Sequence, residues 1–158
     1  MRARKLTAVD VCAVTGYNRD QLRGLLKELP EWSVAPGERR ARAYSAHDLI
    51  VLSVIHVLDV VVCIRRKMIA AAFPQLQDVL SGPKPLAANA RIVITFSPLR
   101  VAYLDGKATV TEGLIIPLQP IFSRIDQYLG AVQVQPASQA RLRLGPAIVD
   151  GRRGRTST

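Results

Sequence analysis

Aromatic residues make up only 5% of this 158-residue chain, so Leu, Val, Ile and Ala must fill most of its core. Acid is scarce as well: 12 Asp and Glu stand against 22 Lys and Arg, a formal charge of +10. A balance this basic favours a polyanionic partner, either nucleic acid or an anionic membrane surface. Cysteine is limited to Cys12 and Cys63, both inside apolar segments, with no CxxC and no His at ligand spacing. The pair reads as two buried, reduced thiols of a cytoplasmic protein rather than a disulfide framework. The longest apolar stretch, Leu49–Ile64, contains His56 and Asp59 and falls short of the roughly 20 residues that span a bilayer. Met1–Leu6 leads straight into an amphipathic pattern, so no secretory segment is expected and no membrane partner. Also lacking are a Gly-rich phosphate loop ending in Lys-Ser/Thr, a Gly-x-Ser-x-Gly and a His-Glu-x-x-His. Acidic residues are scattered, and His47 and His56 stand too far apart on one helix to share a metal. The chain is therefore expected to be no enzyme and to need no cofactor or metal.

What is present is an apolar fraction of 49%, ample for one compact domain or two very small ones. The charge is unevenly placed: residues 1–67 carry a net +5, residues 68–129 a net +1 and residues 130–158 a net +4. That distribution suggests a basic binding module, a neutral second unit and a cationic tail.

Thr7 is a good N-cap for a short helix whose apolar positions are Val9, Val11, Cys12 and Val14, and Thr15-Gly16 ends it. Asn18 caps a second helix, Arg19–Leu29. Leu22, Leu25, Leu26 and Leu29 line one face of it, and Arg19, Asp20, Arg23 and Lys27 the other. Pro30 stops it. Two short helices joined by a glycine-bearing turn carry the helix-turn-helix signature. Trp32–Tyr44 then reads as a small hairpin, or wing, with turn chemistry at Pro36-Gly37 and Arg39, Arg40 and Arg42 after it. Ser45 caps a third helix, Ala46–Val62, apolar on nearly every side and so central to the fold. A fourth covers Arg65–Leu80, with Pro74 kinking or splitting it. Ser81–Pro85 is a rigid breaker and the expected boundary.

Beyond it the period turns from helical to alternating. Ile92, Ile94 and Phe96, then Val101, Tyr103, Thr109 and Thr111, flank an Asp105-Gly106 that predicts a hairpin. A last helix, about Leu118–Leu129, ends at Gly130, and a loose tail follows. The fold class expected is α+β: a winged helix-turn-helix over residues 1–82, a hairpin-plus-helix unit over 86–130, and a flexible basic tail over 131–158. The second unit is expected to form a homodimer, because a lone hairpin cannot stabilise its own apolar strands.

The first 80 positions resemble the MerR-type winged-helix family. The order helix, turn, helix, basic wing matches. So does the segment Arg42-Ala43-Tyr44-Ser45-Ala46-His47-Asp48-Leu49 that opens the third helix. The family's second helix carries Thr-Leu-Arg and then two aromatics; here Gln21-Leu22-Arg23 precedes Gly24-Leu25. The long C-terminal dimerisation helix of effector-responsive members, and the cysteine pair of metal-binding ones, have no counterpart. The resemblance thus covers about half the chain and implies the DNA-binding module alone, nearer in kind to small phage and plasmid members than to metal sensors.

Within that module, Tyr17 and Asn18 stand at the start of the second helix, where groove contacts usually begin. Arg19 and Arg23 project together, Gln21 suits adenine, and Lys27 continues the basic face. Arg39, Arg40 and Arg42 favour phosphate or minor-groove contact, Arg42 also having a structural alternative. Arg65, Arg66 and Lys67 fit either phosphate binding or a solvated patch, and Arg152, Arg153 and Arg155 either non-specific nucleic-acid affinity or a solubilising end. The function expected is sequence-specific binding of double-stranded DNA by a dimeric, cytoplasmic, nucleoid-associated transcriptional regulator. Three rivals stay open. One is an architectural factor in recombination, partition or packaging. Another is an adaptor whose winged helix binds protein, kept alive by the missing aromatic pair. The last is ligand sensing by the β-rich unit, with no effector identified.

Overall fold

Three helices begin on one local device, in which an N-cap side chain and the residue three positions on satisfy each other's backbone. Thr7 and Asp10 do this for α1 (Ala8–Thr15), Asn18 and Gln21 for α2 (Arg19–Glu28), and Ser45 and Asp48 for α3 (Ala46–His56). The computed structural model describes residues 5–29, 32, 42–81, 89–106 and 108–139, the last eight as backbone alone. The remaining elements are α4 (Arg66–Leu80), β1 (Arg91–Phe96), β2 (Leu99–Leu104), β3 (Leu114–Pro117) and α5 (Gln119–Gln139). The architecture is α+β, as the sequence predicts. The wing expected over Trp32–Tyr44, with Arg39 and Arg40, lies outside the described residues except at its ends. There Tyr44 donates its N–H to the Leu6 carbonyl at 2.9 Å in a single antiparallel bridge.

The turn between α1 and α2 is glycine-bearing, as expected: Gly16 adopts φ +91° and donates to the Cys12 carbonyl. α3 is the hub. Leu49, Val51, Leu52, Val54 and Ile55 have no exposed surface, and α1, α4 and α5 pack around it. The expected run to Val62 is shorter as an α-helix. At Val57–Val61 the ladder widens to a π-helical turn closed by the Val62 N–H on the Val57 carbonyl, and the chain leaves through Cys63 at φ +60°. Three successive β-branched residues, Val60 to Val62, are exposed there. Stiff side chains with nothing to pack against lend a helix little support. α4 starts one residue later than expected and passes through Pro74 as one element.

The strand region departs more. β1 pairs with β2 across the two-residue Ser97-Pro98 connection, whose peptide bond is cis, and with β3 on its other side, giving the antiparallel order β2-β1-β3. Asp105-Gly106 is thus not the hairpin turn, and Thr109 and Thr111 lie in no strand. The alternation was real, but proximity misassigned its partner: the chain after β2 crosses to the far edge of β1. The ending at Gly130 is also corrected. α5 continues to Gln139, since one glycine costs a helix only about 1 kcal/mol relative to alanine. Residues 140–158 of the expected tail lie outside the described residues.

Ile92, Ile94, Val101, Ile116, Ile121 and Ile125 belong to the same buried cluster as Leu22, Leu25, Leu52 and Phe73. The two expected units therefore share one core, and the sheet's apolar face is covered by its own chain. Both sheet edges are partly blocked. On β2, Gln75 of α4 accepts from the Val101 N–H at 2.9 Å and donates to the Leu99 carbonyl at 3.3 Å, standing in for a neighbouring strand. On β3, Leu118 donates inward to Ala90, so strand alternation directs the adjacent Pro117 outward, where it has no N–H to offer.

Two stability outcomes follow. Cys63→Gly relieves a left-handed side-chain residue on an exposed turn and should raise unfolding free energy by about 1 kcal/mol, seen as a higher urea midpoint at constant slope. Gln75→Ala should cost about 1–3 kcal/mol by orphaning edge groups. It should also promote concentration-dependent association in light scattering, because an open strand edge templates pairing.

Candidate functional site

α2 is held rigidly before it presents anything. Asn18 Oδ1 accepts from the Gln21 N–H at 2.7 Å, and Gln21 Oε1 accepts from the Asn18 N–H at 3.0 Å. Leu22 and Leu25 bury its inner face. The outer face is left with Arg19, Arg23 and Lys27, all exposed. Their spacing of four stacks them in one column, about 12 Å from first to last at 1.5 Å per residue.

The column borders a groove of about 440 Å³ between the start of α1 and α2. Ala8, Val9, Leu22 and Leu26 supply its apolar lining; Arg19, Arg23 and Arg42 its charge; Thr7 and Tyr44 complete it. The structure thus brings Arg19, Arg23 and Arg42 together from two separate chain segments. Arg42 also donates to the Trp32 carbonyl at 2.7 Å, which realises the structural alternative without neutralising its charge. Arg23 lies 3.7 Å from Asp20, but at side-chain exposures of 70% and 92% such a pair holds the guanidinium weakly. Asn18 and Gln21 are at the surface with their carbonyl oxygens committed to the cap. Bidentate reading of adenine by Gln21 requires that oxygen, so it would open the cap; its amide N–H groups stay available.

Tyr17 is a correction. It is 3% exposed, its hydroxyl donates to Asp59 Oδ2 at 3.0 Å, and its ring meets His56 edge-on at 4.7 Å. Burial first, then Asp59, pushes its phenol well above the usual range. The signal was in the sequence. A hydrophobic residue just before a capping box packs against the fourth helical residue, here Leu22, and both are in the core cluster. Arg66 is likewise structural: it lies 3.5 Å from Asp59 and 3.5 Å from Glu28, tying α4 to the end of α2. Its Nη1 sits 3.1 Å from where a side chain on Gly24 would begin. Gly24 is the position at which the resembled family carries its first aromatic, and here the guanidinium fills that space. Arg65 and Lys67 remain exposed.

Sequence reading missed the links that hold α1 and α2 from behind. Tyr128 of α5 donates to Asp10 Oδ1 at 2.6 Å, and Arg124 of α5 reaches the Val14 carbonyl at 3.5 Å. Neither has a local signature, because the partners lie over 100 residues apart. Among the described residues, no group of three or more His, Cys, Asp or Glu is gathered to hold a metal, and no helix is long and apolar enough to cross a membrane. Compared with known protein families, curated proteins and solved structures, the chain matches none.

Burial, and then Arg124, hold His56 below the usual imidazole value of 6.5, against an opposing pull from Asp59. A depressed imidazole stabilises the fold fully above pH 6.5 and loses that contribution as pH falls through its lowered value. His56→Phe keeps a ring against Tyr17 without a proton to gain. Its melting temperature should fall less than the parent's between pH 7 and pH 5.

Proposed function

We propose that this chain binds double-stranded DNA sequence-specifically, with α1 and α2 as a helix-turn-helix and α2 as the element entering the major groove. The observation that carries this reading is the Arg19, Arg23 and Lys27 column on the one solvent face of a helix locked at both its cap and its core side, with Arg42 beside it. Rigid presentation matters because reading base edges needs side chains delivered from a fixed frame, while flanking cations set register on phosphates. Arg19 and Arg23 suit guanine or phosphate, Lys27 and Arg42 phosphate. The sequence resemblance to MerR-type winged helices, the wing arginines Arg39 and Arg40 and the charge of +10 lend the same support.

A nucleoid-associated transcriptional regulator is the use this chemistry suits best. Such a protein acts as a dimer on a pseudo-palindrome, with half-sites about 10 base pairs apart or a multiple of that. Since the sheet is covered within its own chain, the dimer contact in this reading falls on another surface than the strands' core face.

The test is selection from a random duplex library at two salt concentrations, followed by Arg23→Ala on the recovered site. A symmetric motif that survives higher salt is expected, and the variant should lose about 1–3 kcal/mol of affinity. A direct repeat would instead mark an architectural factor. Binding that enriches nothing and collapses as salt rises would reduce the interaction to charge alone and overturn the reading.

A further inference from the structure

The groove beside α2 has an apolar floor that a DNA backbone does not account for. Val9 is 53% exposed on it and Leu26 is half-buried. Above them stand Arg19, Arg23 and Arg42, with no carboxylate among the described lining residues. Phosphates answer the guanidiniums and leave the valine and leucine uncovered. At about 440 Å³ the space lies within the roughly 300–1,000 Å³ that takes a small ligand or a few peptide side chains.

Charge narrows the occupant. Residues 140–158 carry five Arg and one Asp, the same sign as the groove, so this tail does not complement it. Set on this groove, a second copy would bring a chain of net +10 against three guanidiniums, so a dimer contact belongs on another surface. The complementary object has carboxylates and apolar side chains on one face, which is an acidic amphipathic segment laid in a groove.

We infer that this groove binds an acidic amphipathic segment of another protein, its apolar side chains against Val9 and Leu26 and its carboxylates on Arg19 and Arg23. Carboxylate–guanidinium pairs fix the orientation, and the apolar floor distinguishes this partner from a merely anionic one. The segment covers the same arginines that the DNA reading uses, so the two partners exclude each other. The exclusion rests on that reading; the docking does not.

A displayed random short-peptide library selected on the full chain tests this, with counter-selection on Val9→Asp. Val9 is exposed, so the variant should melt like the parent, and a melt checks that it does. Enriched peptides are expected to combine Asp or Glu with Leu, Ile or Phe. They should bind Val9→Asp and Arg23→Ala at least about tenfold more weakly by fluorescence anisotropy, and displace a labelled duplex. Val9→Ser should weaken the peptides and leave duplex affinity unchanged. Peptides that keep their affinity for Val9→Asp, a library that enriches nothing, or polyglutamate binding as tightly as the enriched peptides would each overturn the docking. Peptide binding as described with no duplex ever bound would sustain the docking and sink the DNA reading. Peptide and duplex bound together would refute the exclusion alone.

Discussion

The burial of the central turns of α3 on every side governs how the chain can fold. Residues 51–55 have no wet face, so the elements around these turns form a shell: α1 and the turn after it, α4, and α5. The only polar side chain fully inside its central turns, Ser53, turns back on its own helix and donates to the Leu49 carbonyl at 2.6 Å. That leaves residues 49–55 of α3 free of lateral hydrogen-bond requirements, and packing alone sets the neighbours of these turns. Helices in the shell can then spend their polar residues on caps and on surface chemistry. α2 is the clearest case, with leucines inward and a cationic column outward.

A short polar chain runs along the seam between shell and hub. Tyr17, at the entry to α2, meets Asp59 in the π-helical turn; Asp59 meets Arg66 at the start of α4; and Arg66 reaches back to Glu28 at the far end of α2. Both ends of α2 are thereby referred to one carboxylate–guanidinium pair. Partly buried pairs of this kind add specificity of arrangement more than net stability. What is specified here is the orientation of α2.

Much of the helical half was legible because its signals are local. Thr7, Asn18 and Ser45, each followed three residues later by Asp or Gln, gave three helix starts. The leucine spacing of α2 gave its inner face, and Gly16 its preceding turn. What was not legible was governed by distance along the chain. β1 has two neighbours, and alternation says nothing about which later segment lies on which side, so Asp105-Gly106 was overread. Arg66 looked like a surface or phosphate-binding cation because its partners, Asp59 and Glu28, are set by folding; for Arg42 the structural alternative was legible, but its partner, the Trp32 carbonyl, was not. Tyr17 was misread although the residues around it held the clue. The basic column of α2 was found correctly as a pattern; that Arg42 joins it over an apolar groove needed the fold.

Asp10 completes the cap of α1 through the Thr7 N–H at 2.7 Å and at the same time accepts from Tyr128, 118 residues later, while having no exposed surface of its own. Among the described residues, the first helix is therefore finished by the last. During vectorial synthesis α1 and α2 leave the ribosome long before α5 exists, and until then this carboxylate stays solvated and the back of α1 uncovered. The nascent N-terminal half has its local helical cues early but acquires its final frame only once α5 has been made. The placement of α1 thus depends on α5 as much as on the segment that bears it.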